Sequence, residues 1–392
     1  MNYKIPFSGR AHSYKQSEIK TVVETMEGAE PLTQGAHRNQ FETSFIKFQG
    51  GKGNAFAVGS ATDALEITAQ LCQFRPGDEF IIPAHTYTAS CYPFIKKGGT
   101  PVWADIDSHT RVVTVEKIEE CLTPKTKAII VVHLYGYVAD MDPILELAKS
   151  KNLILIEDAA QAIGSLYKGR RAGSFADFGI FSFHSHKNIS TLGEGGMLWA
   201  NDPKDAAQVP LLRHNGHCDF NFPRKDYWIP AMGNVDLPQL NEKTMMPNNY
   251  CLGEVQCALG QKLLERVDKI NSEKRRRALL FIDELKDCPE LEFHRVENDR
   301  HNYHLLVAKL KNGRRDEFIR IMSKRYSIQC VVQYYPLYRY DLYAKLGFDN
   351  AEVPNTDDFF DNMISFPFQQ NLTDLQLSYM IDSTQEVLQS FR

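Results

Sequence analysis

The sequence predicts an α/β protein with two parts: a large domain with a mixed, mostly parallel sheet sandwiched by helices, and a small α+β C-terminal domain. Short apolar runs alternate with amphipathic stretches between residues 54 and 200, which is typical of parallel βαβ units. Runs such as AIIVV and LILI lack polar alternation, as strands covered on both faces do. We expect the large domain to span residues 1–262 and the small domain to span residues 263–392.

The first five strands and the helices between them follow from changes in hydrophobic period. Strands are predicted at NAFAVGS, DEFIIP, TPVWADI, KAIIVVHLYG and LILIED. Helices are predicted over residues 61–74, 86–97, 116–121 and 142–150. The pattern then changes, because FGIFSF and GGMLWAN predict two short strands whose connection is too short for a crossover helix.

The rest of the chain has a different character. Residues 205–250 show no clean period, so we expect this segment to be functional or to pack on a partner. A long helix is predicted over residues 252–285. It is followed by strand-like NYHLLVAKL, a helix over 315–326, strand-like IQCVVQYY and a closing helix from Thr373.

Composition limits the partners. The 392 residues are 43% hydrophobic and 24% charged, with a net charge of −4, which gives no bias toward nucleic acid. No apolar run approaches a membrane span, and the first residues lack the apolar core of a secretory signal. The eight cysteines show no C-x-x-C spacing. We therefore expect reduced thiols and a cytoplasmic protein that binds neither membrane nor nucleic acid.

Three features fall at the carboxyl ends of predicted strands, where ligands gather in open parallel sheets. The first is the run Gly59-Ser60-Ala61-Thr62, which leads from a strand into a helix. Small residues with free backbone N–H groups at a helix N-terminus form a phosphate or carboxylate site. The alternative is that Ser60 or Thr62 only caps the helix.

The second feature is Asp158, which ends the apolar strand LILIED. A carboxylate buried there requires a cationic or strong hydrogen-bonding partner. Gln161, three residues later, could present its amide to the same space. The alternative is an aspartate that caps a following helix.

The third feature is Lys187, which follows FGIFSF and lies five residues after Ser182. An ammonium group in an apolar, β-rich setting is costly unless its pKa falls or the amine is chemically bonded. Ser182 could contact an anion. Two alternatives remain open: an ion pair between Lys187 and Asp158, and a metal site formed by His184 and His186 with a third ligand such as His133. We expect no metal.

Pyridoxal phosphate (PLP) would satisfy all three features. Lys187 would form a Schiff base with its aldehyde and later move protons. Asp158 would keep the ring nitrogen protonated, which makes the ring an electron sink. The helix N-terminus would hold the phosphate, and Tyr87 would stack on the ring. Lys187 and Asp158 are therefore the predicted catalytic residues of a PLP-binding large domain.

The order of these motifs resembles that of the DegT/StrS-type sugar aminotransferases, which are PLP enzymes of the aspartate-aminotransferase fold type. The resemblance covers nearly the whole chain and rests on GSATDALE, GDEFIIPAHTYTAS, DAAQAIGS, SFHSHKNISTLGEGGM, LLRHNG, NNYCLGEVQCALG and YYPLY. It implies cofactor contacts at nine positions, with Asn249 reaching the phosphate from a neighbouring subunit of a homodimer: Ser60, Ala61, Thr62, Tyr87, Asp158, Gln161, Ser182, Lys187 and Asn249.

The resemblance also implies the reaction. We expect an amino acid, with glutamate favoured, to donate its amino group to a keto sugar, nucleotide-linked and of the 4-keto-6-deoxy or 3-keto hexose type. The product would enter amino sugars of surface polysaccharide or lipopolysaccharide. Alternatives are an aminotransferase for a keto-cyclitol and a PLP-binding regulator without turnover. The lysine is present where sugar 3-dehydratases of this family have histidine, which favours transamination.

Three positions depart from the family pattern. Cys251 stands where the family commonly has arginine, Gln333 stands where histidine commonly precedes the YYPL segment, and Tyr338 stands where histidine commonly follows it. We therefore expect unusual recognition of the donor or the acceptor. We also expect His186 to point away from Lys187 if the backbone there is extended.

Overall fold

A computed structural model describes residues 2–7, 13–220, 233–311 and 313–392. Its main sheet has seven strands in the order β1-β7-β6-β5-β4-β2-β3. Only β7 runs antiparallel to its neighbours, β1 and β6, and the other paired strands are parallel. The strands are β1 (Asn54–Val58), β2 (Glu79–Pro83), β3 (Thr100–Ala104), β4 (Thr126–Val132), β5 (Ile154–Asp158), β6 (Phe178–Ser182) and β7 (Gly196–Ala200).

A second sheet of three antiparallel strands lies in the C-terminal part: β8 (Leu291–Phe293), β9 (Leu306–Leu310) and β10 (Met363–Phe366). Each sheet has its own hydrophobic cluster. The larger cluster covers both faces of the main sheet, and the smaller one joins the second sheet to the C-terminal helices. The predicted fold class is therefore confirmed. The domain boundary between residues 262 and 263 stays a prediction.

Helices surround both sheets, and none in the described part of the chain has the length and apolar character needed to cross a membrane. In chain order they are α1 (Gln16–Gly28), α2 (Ala36–Phe48), α3 (Ala61–Leu71), α4 (Tyr92–Lys96), α5 (Val115–Glu119), α6 (Met141–Lys151), α7 (Pro203–Ala206), α8 (Val209–Arg213), α9 (Glu254–Leu264), α10 (Val267–Glu284), α11 (Arg315–Tyr326), α12 (Asp341–Lys345), α13 (Pro354–Asn362) and α14 (Asp374–Gln389).

The predicted long helix over residues 252–285 is wrong, because two helices, α9 and α10, replace it. The break lies at Arg266, whose backbone is not helical (φ −124°, ψ 7°). Its guanidinium donates to both carboxylate oxygens of Glu18 at 2.6 and 3.1 Å. This partner lies 248 residues away in the sequence, so no local pattern could reveal it.

Two other predicted elements are also corrected. The helix over residues 86–97 is a 3₁₀ turn, Thr88–Ser90, followed by the short α4. The stretch IQCVVQYY is not a strand, because its pairing is limited to two isolated bridges, Ile328 with Ile5 and Val331 with Ser365. Beyond Val331 the chain leaves the sheet and reaches the cavity described below.

The segment over residues 205–250 contains short helices and two-residue ladders where it is described. The ladders join His217–Cys218 to Asn234–Val235 and Gln239–Leu240 to Lys243–Thr244. Residues 221–232 of this segment lie outside the described residues.

The connection between β5 and β6 is held by the buried carboxylate of Glu157, which precedes Asp158. It accepts hydrogen bonds from the backbone N–H groups of Gly173, Phe175 and Ala176 at 2.8, 2.6 and 2.8 Å. It also bonds to Nε2 of His133 at 2.9 Å. Both oxygens of Glu157 therefore accept hydrogen bonds, and the carboxylate holds the chain between β5 and β6 against the end of β5.

We expect Glu157→Gln to destabilise the protein. Whichever way the amide turns, its NH₂ group faces an N–H donor, which costs about 1–3 kcal/mol for a buried group. The thermal midpoint should fall by roughly 1–4 °C for a chain of this size. Glu146→Gln, at an exposed position on α6, is the matched control and should leave the midpoint unchanged. Equal midpoints for both variants would contradict the role given to Glu157.

Candidate active site

A cavity of about 350 Å³ opens at the carboxyl ends of β1, β2, β4, β5 and β6. Because these strands run in one direction, the residues that follow them meet at one edge of the sheet. Eight of the nine predicted cofactor residues line the cavity: Ser60, Ala61, Thr62, Tyr87, Asp158, Gln161, Ser182 and Lys187. Asn249 does not line it, and its side chain is exposed.

One end of the cavity is the N-terminus of α3. Ser60 is the N-cap of this helix, and its Oγ accepts a hydrogen bond from Asp63 N at 3.1 Å. A Cβ added to Gly196 on β7 would lie only 2.5–2.6 Å from backbone atoms of Ser60 and Ala61. The glycine therefore lets the first turn of α3 lie directly against the sheet. Ser60 therefore caps the helix, but the first backbone N–H groups remain available to an anion, so its phosphate role stays a prediction.

Asp158 ends β5 with only 5% of its surface exposed. Ser90 Oγ donates to its Oδ2 at 2.6 Å, and the backbone N–H of Ala160 donates to its Oδ1 at 3.0 Å. No helix follows this strand, so the alternative of a helix-capping aspartate is wrong. Ser90 was missed because it lies in a segment that the sequence predicts to be a regular helix.

Gln161 is held on both sides of its amide. The backbone N–H of Tyr135 donates to Oε1 at 2.8 Å, and Nε2 donates to the hydroxyl of Tyr334 at 3.2 Å. Tyr334 in turn lies near Tyr87, with ring centroids 5.8 Å apart. Tyr87 is 55% exposed in the isolated chain, so its ring forms part of the rim of the cavity.

Lys187 lies in a turn after β6, and its backbone N–H donates to His184 O at 2.8 Å. Because the chain turns here, His184 and His186 both line the cavity with their rings 5.1 Å apart. The expectation that His186 points away from Lys187 required an extended backbone. Residues 185–189 form a turn and bends instead, so that condition is not met.

Burial lowers the pKa of Lys187 to about 8, and the negative charge of Asp158 opposes this fall. The ion-pair alternative is not borne out, because Asp158 directs its two oxygens at Ser90 and Ala160. Among the described residues, no ion pair joins Asp158 to Lys187. The amine is therefore partly neutral near pH 7, which a nucleophile requires.

The alternative of a metal site at His184 and His186 lacks a third ligand, because His133 is engaged elsewhere. His133 is fully buried behind the sheet edge, bonded to Glu157 at 2.9 Å, and its Nδ1 accepts from the backbone N–H of Ala139 at 3.3 Å. Within the described ranges, no group of three or more histidine, cysteine, aspartate or glutamate residues is arranged to hold a metal ion.

Sequence reasoning missed the residues that reach the cavity from the C-terminal part of the chain. His304 is 97% buried, and its Nδ1 has no hydrogen-bond partner. Burial, with the nearby positive charges of Lys187 and Lys274, holds the pKa of His304 well below its usual value. Gln333 and Tyr334 also line the cavity. In the sequence, this side of the cavity was indicated only by Gln333, which stands where the family commonly has histidine.

The residues present fit PLP. The cavity combines an amine that is partly neutral, a buried carboxylate, a free helix N-terminus and an aromatic ring at its rim. Among the described residues that line it, Lys187 is the only lysine or arginine. A phosphate at the α3 end would therefore be held by backbone N–H groups and hydroxyl groups rather than by a cationic side chain.

Comparisons with known proteins agree with this chemistry. Residues 13–385 match the DegT/DnrJ/EryC1/StrS aminotransferase family, and the chain belongs to it. GDP-perosamine synthase of Caulobacter vibrioides is 33% identical over 377 residues, which cover 95% of each chain. The spore coat polysaccharide biosynthesis protein SpsC of Bacillus subtilis is 32% identical over 392 residues, covering 98% of this chain and 96% of SpsC.

Among solved structures, PseC of Helicobacter pylori is an aminotransferase involved in the biosynthesis of pseudoaminic acid. It superposes with a TM-score of 0.88 at 27% identity, covering 98% of this chain and 99% of PseC. Together with the site, these similarities define the class: the chain is a PLP-dependent aminotransferase.

The pKa of Lys187 has a direct test in the cofactor-free protein. At pH 7 an amine with a pKa of about 8 is roughly 10% neutral, against about 0.04% for an ordinary lysine. Reductive alkylation with a small aldehyde and cyanoborohydride, followed by peptide mass spectrometry, should label Lys187 several-fold faster than exposed lysines. Its rate should level off above pH 8.

The exposed Lys168 is the internal control. A hydrogen bond to Asp142 raises its pKa, so its labelling should keep rising beyond pH 10. Asp158→Asn removes the charge that raises the pKa of Lys187, and the midpoint for Lys187 should move to lower pH. A midpoint that stays near pH 10, or that rises in Asp158→Asn, contradicts the assignment.

Proposed function

We propose that the protein transfers an amino group from an amino acid, with glutamate as the expected donor, to a keto sugar. The acceptor is a nucleotide-linked 4-keto-6-deoxy or 3-keto hexose, and the product serves the biosynthesis of amino sugars in surface polysaccharide or lipopolysaccharide. One observation carries the proposal: Lys187, Asp158 and the N-terminus of α3 converge in one cavity of a chain that belongs to an aminotransferase family.

The names of two relatives support the class of acceptor. GDP-perosamine synthase is named for a nucleotide-linked amino sugar, and SpsC is named for polysaccharide biosynthesis. The chemistry of the cavity agrees with a hydroxylated sugar ring. Besides the charged groups of Lys187, Asp158 and Glu194, its lining consists of hydroxyl, amide, imidazole, aromatic and aliphatic groups.

Each cofactor residue has a proposed task. The first turn of α3, at Ser60, Ala61 and Thr62, holds the phosphate with backbone N–H groups, and the Ser182 hydroxyl lies in the same lining. Asp158, held by the hydrogen bond from Ser90, would be the carboxylate that keeps a proton on the ring nitrogen.

At the rim, Tyr87 would stack on the cofactor ring. Gln161 has a second amide N–H that would be available to the ring hydroxyl.

PLP, when bound, supplies an aldehyde that takes up the amino group and a ring that withdraws electrons from the reacting carbon. Lys187 would hold this group covalently through its amine and, when released, would act as the base and acid that moves a proton during the amino transfer. A pKa of about 8 suits this task, because the amine can then both accept and release a proton near neutral pH.

The proposed reaction predicts a spectral cycle. Glutamate should convert the bound cofactor to its aminated form, and a keto sugar should then restore the original PLP spectrum. Lys187→Ala should slow this transfer at least 10²-fold, the ordinary effect of removing a general acid–base. Lys168→Ala, at an exposed lysine, should keep native rates.

The compounds tested as acceptors are nucleotide-linked keto hexoses, the corresponding free keto hexoses and a keto-cyclitol. Turnover with the cyclitol alone, or with no acceptor, would contradict the proposed substrate class. Undiminished transfer by Lys187→Ala would contradict the role of the lysine.

We further propose a cytoplasmic homodimer whose active sites lie between subunits. The exposed Asn249 and the half-exposed rim residue Tyr87 support this arrangement, because both would become covered by a second subunit. Asn249 would then reach the phosphate of the partner's cofactor. All eight cysteines are free thiols, which supports a reducing compartment.

Mixing two inactive variants tests the shared site. Lys187→Ala and Asn249→Ala homodimers should each be impaired. After dissociation and reassociation at equal amounts, half of the dimers are mixed and each mixed dimer has one intact site, so about a quarter of native activity should return. If Asn249 acts within its own subunit or not at all, mixing restores nothing.

A further inference from the structure

Gln333 is one of two described residues in the cavity wall, with His304, whose buried polar side-chain atom has no protein hydrogen-bond partner. Its side chain lines the cavity, and its Oε1 is buried with no hydrogen-bond partner. An unpaired buried acceptor is costly, so such a group in a binding cavity indicates a ligand that supplies the missing donor. The other amide of the cavity, Gln161, is bonded at both its oxygen and its nitrogen.

The backbone of Gln333 is held in place, which fixes the point from which its side chain enters the cavity. Tyr135 Oη donates to the carbonyl oxygen of Gln333 at 2.6 Å. His85 Nε2 lies 2.6 Å from the same hydroxyl, and since that hydroxyl already donates to Gln333, the histidine must donate to it. Burial lowers the pKa of His85 to about 3, so the ring is neutral and carries its proton on Nε2.

The next residue is held in the same way. The Tyr334 hydroxyl accepts from Gln161 Nε2, and Gln161 Oε1 accepts from the backbone N–H of Tyr135. Tyr135 therefore positions both residues of this wall, one through its hydroxyl and one through Gln161. The protein orients Gln333 and Tyr334 but gives the carboxamide oxygen of Gln333 nothing to bind.

With the oxygen of Gln333 in this position, the missing partner is a hydrogen-bond donor, which favours a hydroxylated substrate over a carboxylate. An amino acid donor offers carboxylates, which only accept, and one amino group, which is the group that reacts at the cofactor. A keto sugar offers several hydroxyl groups that the reaction does not consume. The same cavity lining carries His186 and His304, whose pKa values burial lowers, so it suits uncharged hydroxyl groups.

We propose that Gln333 is a specificity-determining residue that accepts a hydrogen bond from a hydroxyl group of the keto sugar. This inference rests on the proposed function, because it requires a hydroxylated acceptor. It assigns a task to a position where the chain departs from the family pattern.

The test separates the two half-reactions, each followed by the cofactor spectrum in single turnovers at limiting substrate. Gln333→Met keeps the length of the side chain and removes its polar atoms. It should slow the reaction of the aminated protein with the keto sugar by roughly 10- to 100-fold, the effect of one buried hydrogen bond. The reaction of the PLP-loaded protein with glutamate should change less than about threefold.

Gln329→Met is the matched control on the same segment. Gln329 Oε1 accepts from the backbone N–H of Phe7, and the residue does not line the cavity. This variant should leave the ratio of the two half-reactions unchanged. Cofactor content and thermal midpoint are measured for every variant, and a variant that binds less cofactor is compared per loaded site.

A second measurement uses acceptors that each lack one hydroxyl group. With the native protein, the analogue that lacks the recognised hydroxyl should react as slowly as the full sugar does with Gln333→Met, and the variant should not distinguish the two sugars. A purely structural role for Gln333 would not produce this non-additivity.

Three results overturn the inference: equal losses in both half-reactions, a loss confined to the glutamate half-reaction, or additive effects for every deoxy analogue. The proposed function is judged on the native protein alone. If the native protein reacts with glutamate but with no keto sugar, both proposals fail. If the native protein aminates the sugar and Gln333→Met does so equally well, only the assignment of Gln333 fails.

Discussion

The placement of one amine in a poorly solvated cavity constrains the rest of this site. A lysine taken out of water loses stability as an ammonium ion, so it must be neutralised, paired or bonded. Lys187 has its pKa lowered to about 8 and makes no ion pair with Asp158, although the carboxylate lines the same cavity. The protein thus keeps a base and an acid group apart, which leaves space between them for a ligand that uses both.

The parallel sheet makes this separation rigid. Asp158 and Ser182 end the adjacent strands β5 and β6, whose pairing puts Asp158 opposite Ile180. Glu157 holds the connection between these strands, and Gly196 lets α3 approach the sheet edge from the other side. The groups proposed to carry the chemistry are therefore supplied by the main sheet, whereas His304, Gln333 and Tyr334 reach the cavity from the C-terminal part. This division would allow the residues that recognise the substrate to change while the residues that carry out the reaction stay the same.

The parts of the site that the sequence revealed are those with local patterns. Asp158 and Lys187 follow apolar strands, and parallel strands bring their ends together, so their meeting could be predicted. Ser90 could not, because its segment has a helical pattern but forms a 3₁₀ turn that brings the hydroxyl to Asp158. The wall at Gln333 was hidden because IQCVVQYY has the β-branched composition of a strand. Long-range bonds such as that between Arg266 and Glu18 leave no periodic trace.

The proposed chemistry requires that the Lys187 amine forms the covalent bond to PLP. Treating the PLP-loaded protein with borohydride fixes such a bond, and peptide mass spectrometry then locates it. We expect the added mass of the reduced cofactor on the peptide that contains Lys187, with about one equivalent per chain. A cofactor fixed on another lysine, or a loaded protein that carries no added mass after reduction, would contradict it.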